Sequence, residues 1–215
     1  MASGSFVLPA LAMVAATLVP AVKPSSATAQ APGMAQEALE LCAQARKASG
    51  EEQTALLSRG LAVAEQAVAL DPSHARGHLA VFCNLGRRMD TQGVGFGSFG
   101  ALRRLTYEID LAVRLAPEDP DVLAGKGALL LRLPRLLGGD EAAGEELLRR
   151  SLILRDGNPT ARLYLARALA ARGAIGAAAA EAERALADAE GSGATADAAD
   201  ARDLIARIGG RSVTL

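Results

Sequence analysis

Few residues in this sequence have the types and the spacing that catalysis or metal binding requires. His74 and His78 lie four residues apart, the spacing at which two histidines on one helix can hold a metal ion. They are the only two histidines in the chain, and a third ligand would have to be an unidentified carboxylate. We therefore interpret both as surface histidines near the start of a helix, and predict neither a metal nor a cofactor.

The segment Gly95–Gly100 matches the glycine pattern G-x-G-x-x-G letter for letter. In dinucleotide-binding proteins this pattern follows a strand and opens the helix of a βαβ unit. Here a helical pattern precedes the segment, and no stretch of the sequence has the alternation typical of a strand. No Ser-His-Asp, Cys-His or paired-carboxylate arrangement can be identified either. The sequence therefore predicts a protein without enzymatic activity.

The N-terminal part of the sequence has the pattern of an export signal. Residues 6–22 are almost wholly apolar but contain two prolines, which makes them a poor membrane span. Ala27-Thr28-Ala29 follows, an A-x-A site of the type that signal peptidase cleaves, although no lysine or arginine precedes the apolar run. We predict a signal peptide over 1–29 with cleavage after Ala29, a disordered segment over 30–33 and a periplasmic location. A retained hydrophobic segment is the alternative.

The composition argues against nucleic acid as a partner and favours helical structure. The formal net charge is −1 at pH 7, and the chain has two tyrosines and no tryptophan. Cleavage after Ala29 would remove Lys23 and no acidic residue, so the mature chain stays close to neutral. Such a chain has no electrostatic footprint for nucleic acid. Half of the residues are hydrophobic, and because alanine and leucine dominate among them, helix is favoured throughout.

The chain has two cysteines, Cys42 and Cys83. They fall on helices predicted at equivalent places of adjacent repeats, so an oxidising compartment would allow a disulfide. Both positions also suit small buried residues. We favour two free buried thiols, with the disulfide as the alternative.

The helical pattern is clearest from Thr160 to Glu190, where two apolar stripes at helical spacing flank Gly173. Ala178, Ala182 and Ala185 keep one face of the second helix small, so that neighbouring helices can approach closely. This hairpin resembles the tetratricopeptide repeat, which has a small residue in its first helix, a glycine in the turn and three small positions in its second helix.

The end of the second helix recurs along the chain. The equivalent residues Ala67, Ala112, Ser151 and Ala185 lie 45, 39 and 34 residues apart, and the family period is about 34. The resemblance implies an all-α, tetratricopeptide-like helical-repeat solenoid of about four hairpins over 34–210. Its capping helix would cover 196–208, and a tail would follow over 211–215.

Two segments are additional to a plain repeat. Gly86–Gly100 is rich in glycine and carries Phe96 and Phe99, and Leu133–Asp140 contains Pro134, Gly138 and Gly139. Since loops carry function more often than packed helices do, we predict that these five residues contact a ligand. A locally packed loop is the alternative reading.

The same two segments are similar to those of the T component of tetratricopeptide-associated TRAP transporters, the TatT family. The shared features are Gly86-Arg87-Arg88-Met89-Asp90 and the Leu-Pro-x-x-x-Gly-Gly-Asp pattern over 133–140, within a likeness spanning Gln36–Ala189. The resemblance implies an exported helical-repeat protein that works beside a periplasmic solute-binding protein. It further implies an apolar pore that admits a hydrophobic ligand, and some members are oligomeric. This chain departs from it in lacking a cysteine for lipid attachment.

The leading hypothesis is a non-enzymatic binding scaffold that holds a protein partner on the concave face formed by the first helix of each repeat. The predicted partner-binding residues on that face are Arg76, Arg87, Lys126 and Arg162. The alternative is a carrier of a small hydrophobic ligand in an apolar pocket capped by the Phe96 loop. A third hypothesis, an enzyme that uses His74 and His78, requires stoichiometric metal. Partner identity and a homo-oligomeric state are left open.

Overall fold

The computed structural model describes residues 26–92 and 99–212, and every regular element in those two stretches is helical. The α-helices of these stretches are α1 Ser26–Ala45, α2 Gly50–Leu70, α3 Ala75–Thr91, α4 Phe99–Leu115, α5 Pro120–Arg132, α6 Glu141–Leu154, α7 Pro159–Ala171, α8 Ile175–Gly191 and α9 Thr195–Ser212. A turn of 3-10 helix, Arg135–Leu137, joins α5 to α6. None of the described helices is both long and apolar enough to cross a membrane. Most of the predicted export signal, residues 1–25, lies outside the described residues.

Short polar and proline-containing loops start several of these helices. The Asp119 carboxylate accepts hydrogen bonds from the Asp121 and Val122 amides, and Pro120 occupies the first turn of α5, where a missing N–H costs nothing. Asn158 caps α7 in the same way, through the Ala161 amide. These caps end the preceding turn sharply, so each helix folds back beside the one before it.

The helices pair as hairpins, and the hairpins stack. The pairs are α1 with α2, α3 with α4, α5 with α6 and α7 with α8. The first helix of each hairpin also contacts the first helix of the next, and α9 covers α7 and α8 at the end of the stack. The described chain is an all-α, tetratricopeptide-like helical-repeat solenoid of four hairpins with a capping helix, as the sequence predicted.

Small residues lie where the helices cross. Ala67, Ala112, Ser151 and Ala185 are each at most 1% exposed, which confirms the predicted register of the second helices. Ser151 also donates its hydroxyl to the Pro120 carbonyl oxygen at 2.7 Å, and so fastens α6 to the start of α5. This equivalent position of each second helix thus needs a small side chain. A buried hydroxyl is tolerated there when it has a hydrogen-bond partner.

The buried apolar residues form two clusters that meet at α5. Leu79, Ile109 and Val122 belong to the cluster built by α1–α5. Leu148, Leu165 and Ile208 belong to the cluster built by α5–α9. Because α5 contributes to both, it holds the two halves of the stack in one continuous core.

The structure corrects two predictions near the N-terminus. Residues 30–33, predicted to be disordered, lie inside α1, and Ala31 is buried there. Cys42 and Cys83 form a disulfide with their Cα atoms 6.3 Å apart, where two free thiols were favoured. The reason is that α1 and α3 are neighbouring first helices of adjacent hairpins, so their facing positions come within reach of one bond.

Candidate functional site

The first helices of the hairpins enclose a groove on the inner side of the solenoid. Side chains from α1, α3, α5, α7 and α9, with Leu105 of α4, surround a cavity of about 890 Å³. That volume lies in the range of about 300–1,000 Å³ typical of ligand pockets. Its apolar floor consists of Leu39, Leu79, Phe82, Leu105, Ala128 and Leu129. The groove is therefore a ready-made site for an occupant with apolar surface.

One arginine joins the two ends of the solenoid across this groove. Arg46 is the residue that follows α1. Its guanidinium nitrogens lie 2.7 Å from Asp197 and 2.8 Å from Asp200, and both of these acidic residues are on α9. Burial lowers the pKa of Arg46, but the two carboxylates outweigh burial and raise that pKa above its ordinary value. Helices separated by most of the chain are thus held together, and the groove is bridged on that side.

The other charged groups of the groove wall are mostly paired. Arg76 lies 3.3 Å from Asp119 and 3.4 Å from Asp121, and Arg132 lies 2.5 Å from Asp90. Paired in this way, these groups keep the wall polar without leaving a strong local charge.

Tyr164 of α7 adds an aromatic surface to the same wall. The Arg167 guanidinium lies 5.1 Å from the centre of its ring, within the range of a cation–π contact. Arg167 also approaches Asp200 at 3.8 Å. α7 therefore presents both an aromatic face and a positive charge to the groove.

Arg87 is different from its neighbours. It lines the groove on α3, and within the described residues no carboxylate lies at ion-pair distance from its guanidinium group. Burial lowers the pKa of Arg87 below its usual value, and the positive charge of Arg46 lowers it further. Arg87 is consequently a partly buried cation that faces the cavity without an anionic partner in the described stretches of the chain.

The four arginine and lysine residues predicted to contact a partner separate into two pairs. Arg76 and Arg87 line the groove, as the prediction of a concave-face site requires. Lys126 instead reaches Asp110 of α4 at 2.6 Å and is not among the groove residues. Arg162 is 7% exposed and contacts Asp156, Glu181 and Asp188. The prediction for Arg162 is wrong because its position in α7 faces α8 rather than the groove.

The predicted ligand loops have other surroundings. Phe96 lies outside the described residues, and Phe99 begins α4 with 72% of its surface exposed. The segment with Pro134, Gly138 and Gly139 builds the turn between α5 and α6 and does not line the groove. The Pro134 carbonyl accepts from the Gly139 amide at 3.0 Å, and Gly138 has φ of +91°. A Cβ on Gly139 would meet the Leu133 carbonyl oxygen at 1.8 Å, so the glycine is required by packing.

His78 contradicts the prediction that both histidines lie on the surface. His78 is 2% exposed. Its Nδ1 lies 2.7 Å from Oε2 of Glu108, and its Nε2 lies 2.9 Å from the Pro72 carbonyl oxygen. The hydrogen bond to Glu108 raises the pKa of His78 above its ordinary value, against the opposing effect of burial. His74 stands apart from that contact, at the N-terminal cap of α3. Among the described residues, no group of three or more His, Cys, Asp and Glu is arranged to hold a metal ion.

Sequence reasoning missed Arg46, Arg132 and Tyr164, which complete the groove wall. A signal for the α3 part of that wall was present in the sequence. Leu79, Phe82, Gly86, Arg87 and Asp90 follow one another at helical spacing, so they share one face of α3. The stripe begins at the buried Leu79 and ends at the exposed Asp90, and an apolar stripe that runs out into charged residues is typical of a binding surface.

Comparison with known proteins gives distant structural likenesses. No family model and no curated protein matches the chain. Among solved structures it is similar to the crystal structure of YrrB, a TPR protein with an unusual peptide-binding site, at 16% identity. The match covers 86% of this chain and 93% of that one, with a TM-score of 0.40. A likeness this distant carries no argument about binding, and the fold rests on the helix pairing described above.

Proposed function

We propose that this chain is an exported, non-enzymatic scaffold that binds an extended segment of a partner protein in its inner groove. The observation that supports the proposal is the groove itself, which crosses five helices and combines an apolar floor with a charged wall. An extended segment can place apolar side chains on such a floor while its backbone and polar groups meet the wall. Solenoids bind through concave surfaces of this kind because stacked repeats build a continuous inner face.

A bulky residue in the groove tests the proposal. Ala43 is exposed and lines the groove, so Ala43→Trp fills space there without entering the core. Ala62 is exposed on α2, outside the groove, and Ala62→Trp is the matched control. We expect the wild-type chain and Ala62→Trp to capture the same protein from the native cell envelope, and Ala43→Trp to lose it. Equal capture by all three chains would place the partner elsewhere and reject the proposal.

A carrier of a small hydrophobic ligand is the second candidate, favoured by the apolar floor and by a volume within the usual range of ligand pockets. Protein purified without denaturation would then contain a bound apolar compound in about equal amount, detectable by mass spectrometry of an organic extract. Ala43→Trp would lose the compound and Ala62→Trp would keep it. Extracts free of such a compound, together with a captured protein, would decide for the scaffold.

The finer proposal is a role in solute uptake beside a periplasmic solute-binding protein. It is supported by the two segments similar to the TatT family, Gly86–Asp90 and Leu133–Asp140. Identification of the captured protein as a solute-binding protein tests this role. N-terminal sequencing of the mature protein from the periplasm tests export and cleavage after Ala29, and a cytoplasmic full-length chain would contradict both.

A further inference from the structure

The unpaired guanidinium of Arg87 is the feature of the groove that most needs a partner. Arg46, Arg76, Arg132 and Arg167 line the same cavity, and each lies within ion-pair distance of at least one carboxylate. Within the described part of the chain, Arg87 alone among these groove arginines has none. A cation withdrawn from water is costly unless a counter-charge or hydrogen bonds replace the lost solvent.

A buried donor without a partner belongs to Arg46, which lines the same cavity. Its Nε is buried and has no hydrogen-bond partner in residues 26–92 and 99–212, although its two terminal nitrogens contact carboxylates of α9. Burial and the positive charge of Arg46 both lower the pKa of Arg87, against the smaller opposing effects of Asp200 and Asp90. A bound group with one negative charge would offset both the burial of Arg87 and its repulsion by Arg46. Such a group neutralises the charge of Arg87 and is also attracted by Arg46.

The surroundings of Arg87 define the rest of such an occupant. Leu79 and Phe82 precede Arg87 on the same face of α3, and Leu129 faces the cavity from α5. An anion bound to Arg87 therefore has apolar surface beside it in addition to the positive charge of Arg46. One missing counter-charge fits a singly charged carboxylate, whose planar geometry matches a guanidinium group in two parallel hydrogen bonds.

We propose that Arg87 and the apolar floor bind a small apolar carboxylic acid, with its carboxylate on the guanidinium group and its hydrocarbon part on Leu79, Phe82 and Leu129. The inference rests on the groove being a binding site, and it gives the chemical class for the second candidate function. It does not require a protein partner, so the capture experiment and the experiment below can fail independently.

Calorimetric titration with octanoate and with octan-1-ol tests the inference on the full chain. The two probes share the same hydrocarbon part and differ in the charged head. We expect octanoate to bind at least about 10-fold more tightly than the alcohol, the effect of one charge-assisted hydrogen-bonded contact. Equal binding of both probes, or no binding of octanoate, would overturn the proposal, and neither outcome depends on a variant.

Substitution of Arg87 locates the head group. Arg87→Met should weaken the binding of octanoate by at least about 10-fold and leave the binding of octan-1-ol unchanged, because only the charged contact is lost. Arg103→Met, at an exposed position on α4, is the matched control and should bind as the wild type does. Thermal unfolding without ligand gives a second readout, since Arg87→Met removes a partly buried cation that has no ion-pair partner among the described residues, and should not lower the melting temperature. Unchanged octanoate binding by Arg87→Met would contradict the assignment.

Discussion

At the scale of single residues, Arg87 and Arg162 show that the same side-chain type can have very different surroundings and roles. Both lie on first helices of hairpins, and both were predicted to face a partner. Arg162 is enclosed by Asp156, Glu181 and Asp188 and ties α7 to α8. Arg87 faces the cavity with no carboxylate at ion-pair distance among the described residues. The difference lies in which helix covers each position, so the same residue stabilises the fold in one place and forms a site in the other.

His78 makes stability depend on pH. Both of its ring nitrogens face acceptors, Glu108 and the Pro72 carbonyl, and only the doubly protonated ring can donate to both. The folded-state pKa is raised above the ordinary value near 6.5, so the folded state holds the proton more tightly than the unfolded state does. The stabilisation of the folded state by protonated His78 is fully present below about pH 6.5 and is lost as the pH rises through the raised pKa.

We therefore expect the urea midpoint to fall as the pH is raised from below about 6.5 through the raised pKa of His78. Glu108→Gln removes the charged acceptor and should flatten that part of the curve. His74→Gln is the matched control, because His74 lies one helical turn away at the N-cap position of α3 and its side chain makes no capping hydrogen bond. A wild-type curve with no fall in this window, or an equal fall in Glu108→Gln, would refute the role of this pair.

At the scale of helices, the backbones of α5 and α6 approach each other closely. A Cβ on Gly127 would lie 2.8 Å from the Gly144 carbonyl oxygen, and one on Gly144 would lie 3.0 Å from the Gly127 carbonyl oxygen. Two glycines thus allow one backbone to touch the other. The same hairpin contains the Leu133–Asp140 turn, so the backbone contact and the turn together set the angle between these two helices.

Gly144→Ala should lower the free energy of unfolding by about 1–3 kcal/mol, because the methyl group forces the two backbones apart. The intrinsic helix preference of alanine offsets at most about 1 kcal/mol of this. Gly33→Ala in α1, where nothing lies within 4 Å of the added carbon, should instead stabilise the chain slightly. Urea unfolding of the two variants compares them directly, and a Gly144→Ala chain as stable as Gly33→Ala would contradict the tight crossing.

The Cys42–Cys83 disulfide links α1 to α3 over a sequence separation of 41 residues. Closing a loop of that length in the unfolded chain corresponds to about 4 kcal/mol of stabilisation in the chain-entropy model. We expect thiol titration of the denatured, unreduced protein to detect no free thiol, and reduction to lower the urea midpoint. Cys42→Ala/Cys83→Ala should unfold at the same midpoint with and without reductant. Two free thiols in the unreduced protein would rule out the bridge.

At the scale of the whole molecule, the contact between Arg46 and α9 makes the solenoid nearly self-closing. A stack of hairpins is ordinarily open, because each repeat contacts only its neighbours. Here Asp197 and Asp200 at the far end of the chain bind an arginine near its start. The groove is consequently bridged by both ends of the stack, and we expect its width to depend on this contact.

Arg46→Met should open the groove and lower the free energy of unfolding by about 1.5–3 kcal/mol, the contribution of hydrogen bonds to charged groups. Small-angle X-ray scattering should then give a larger radius of gyration than for the wild-type chain. Arg59→Met is the matched control, since Arg59 pairs with Glu37 at the exposed surface and does not span the groove. An unchanged radius in Arg46→Met would show that the ends are held together by other contacts.

The local elements of this protein could be predicted from its sequence. The hairpins, their glycine and proline turns and the buried small positions at Ala112 and Ala185 depend on periodicity and capping, which act over a few residues. The all-helical repeat fold and the register of its second helices follow from them. Part of the groove was accessible in the same way, because Arg76 and Arg87 lie on the face of α3 that the repeat pattern leaves uncovered.

The disulfide, the buried pair of His78 and Glu108, the enclosure of Arg162 and the contact of Arg46 with α9 were decided only by the tertiary structure. Each joins residues on different helices, so each depends on the angle and rise between successive hairpins. Small differences in this angle and rise add up along the stack. They also change where the spacing between repeats is 45 or 39 residues instead of the regular 34. Helical periodicity places a side chain on one face of its own helix, but the packing of all the repeats determines what that face meets.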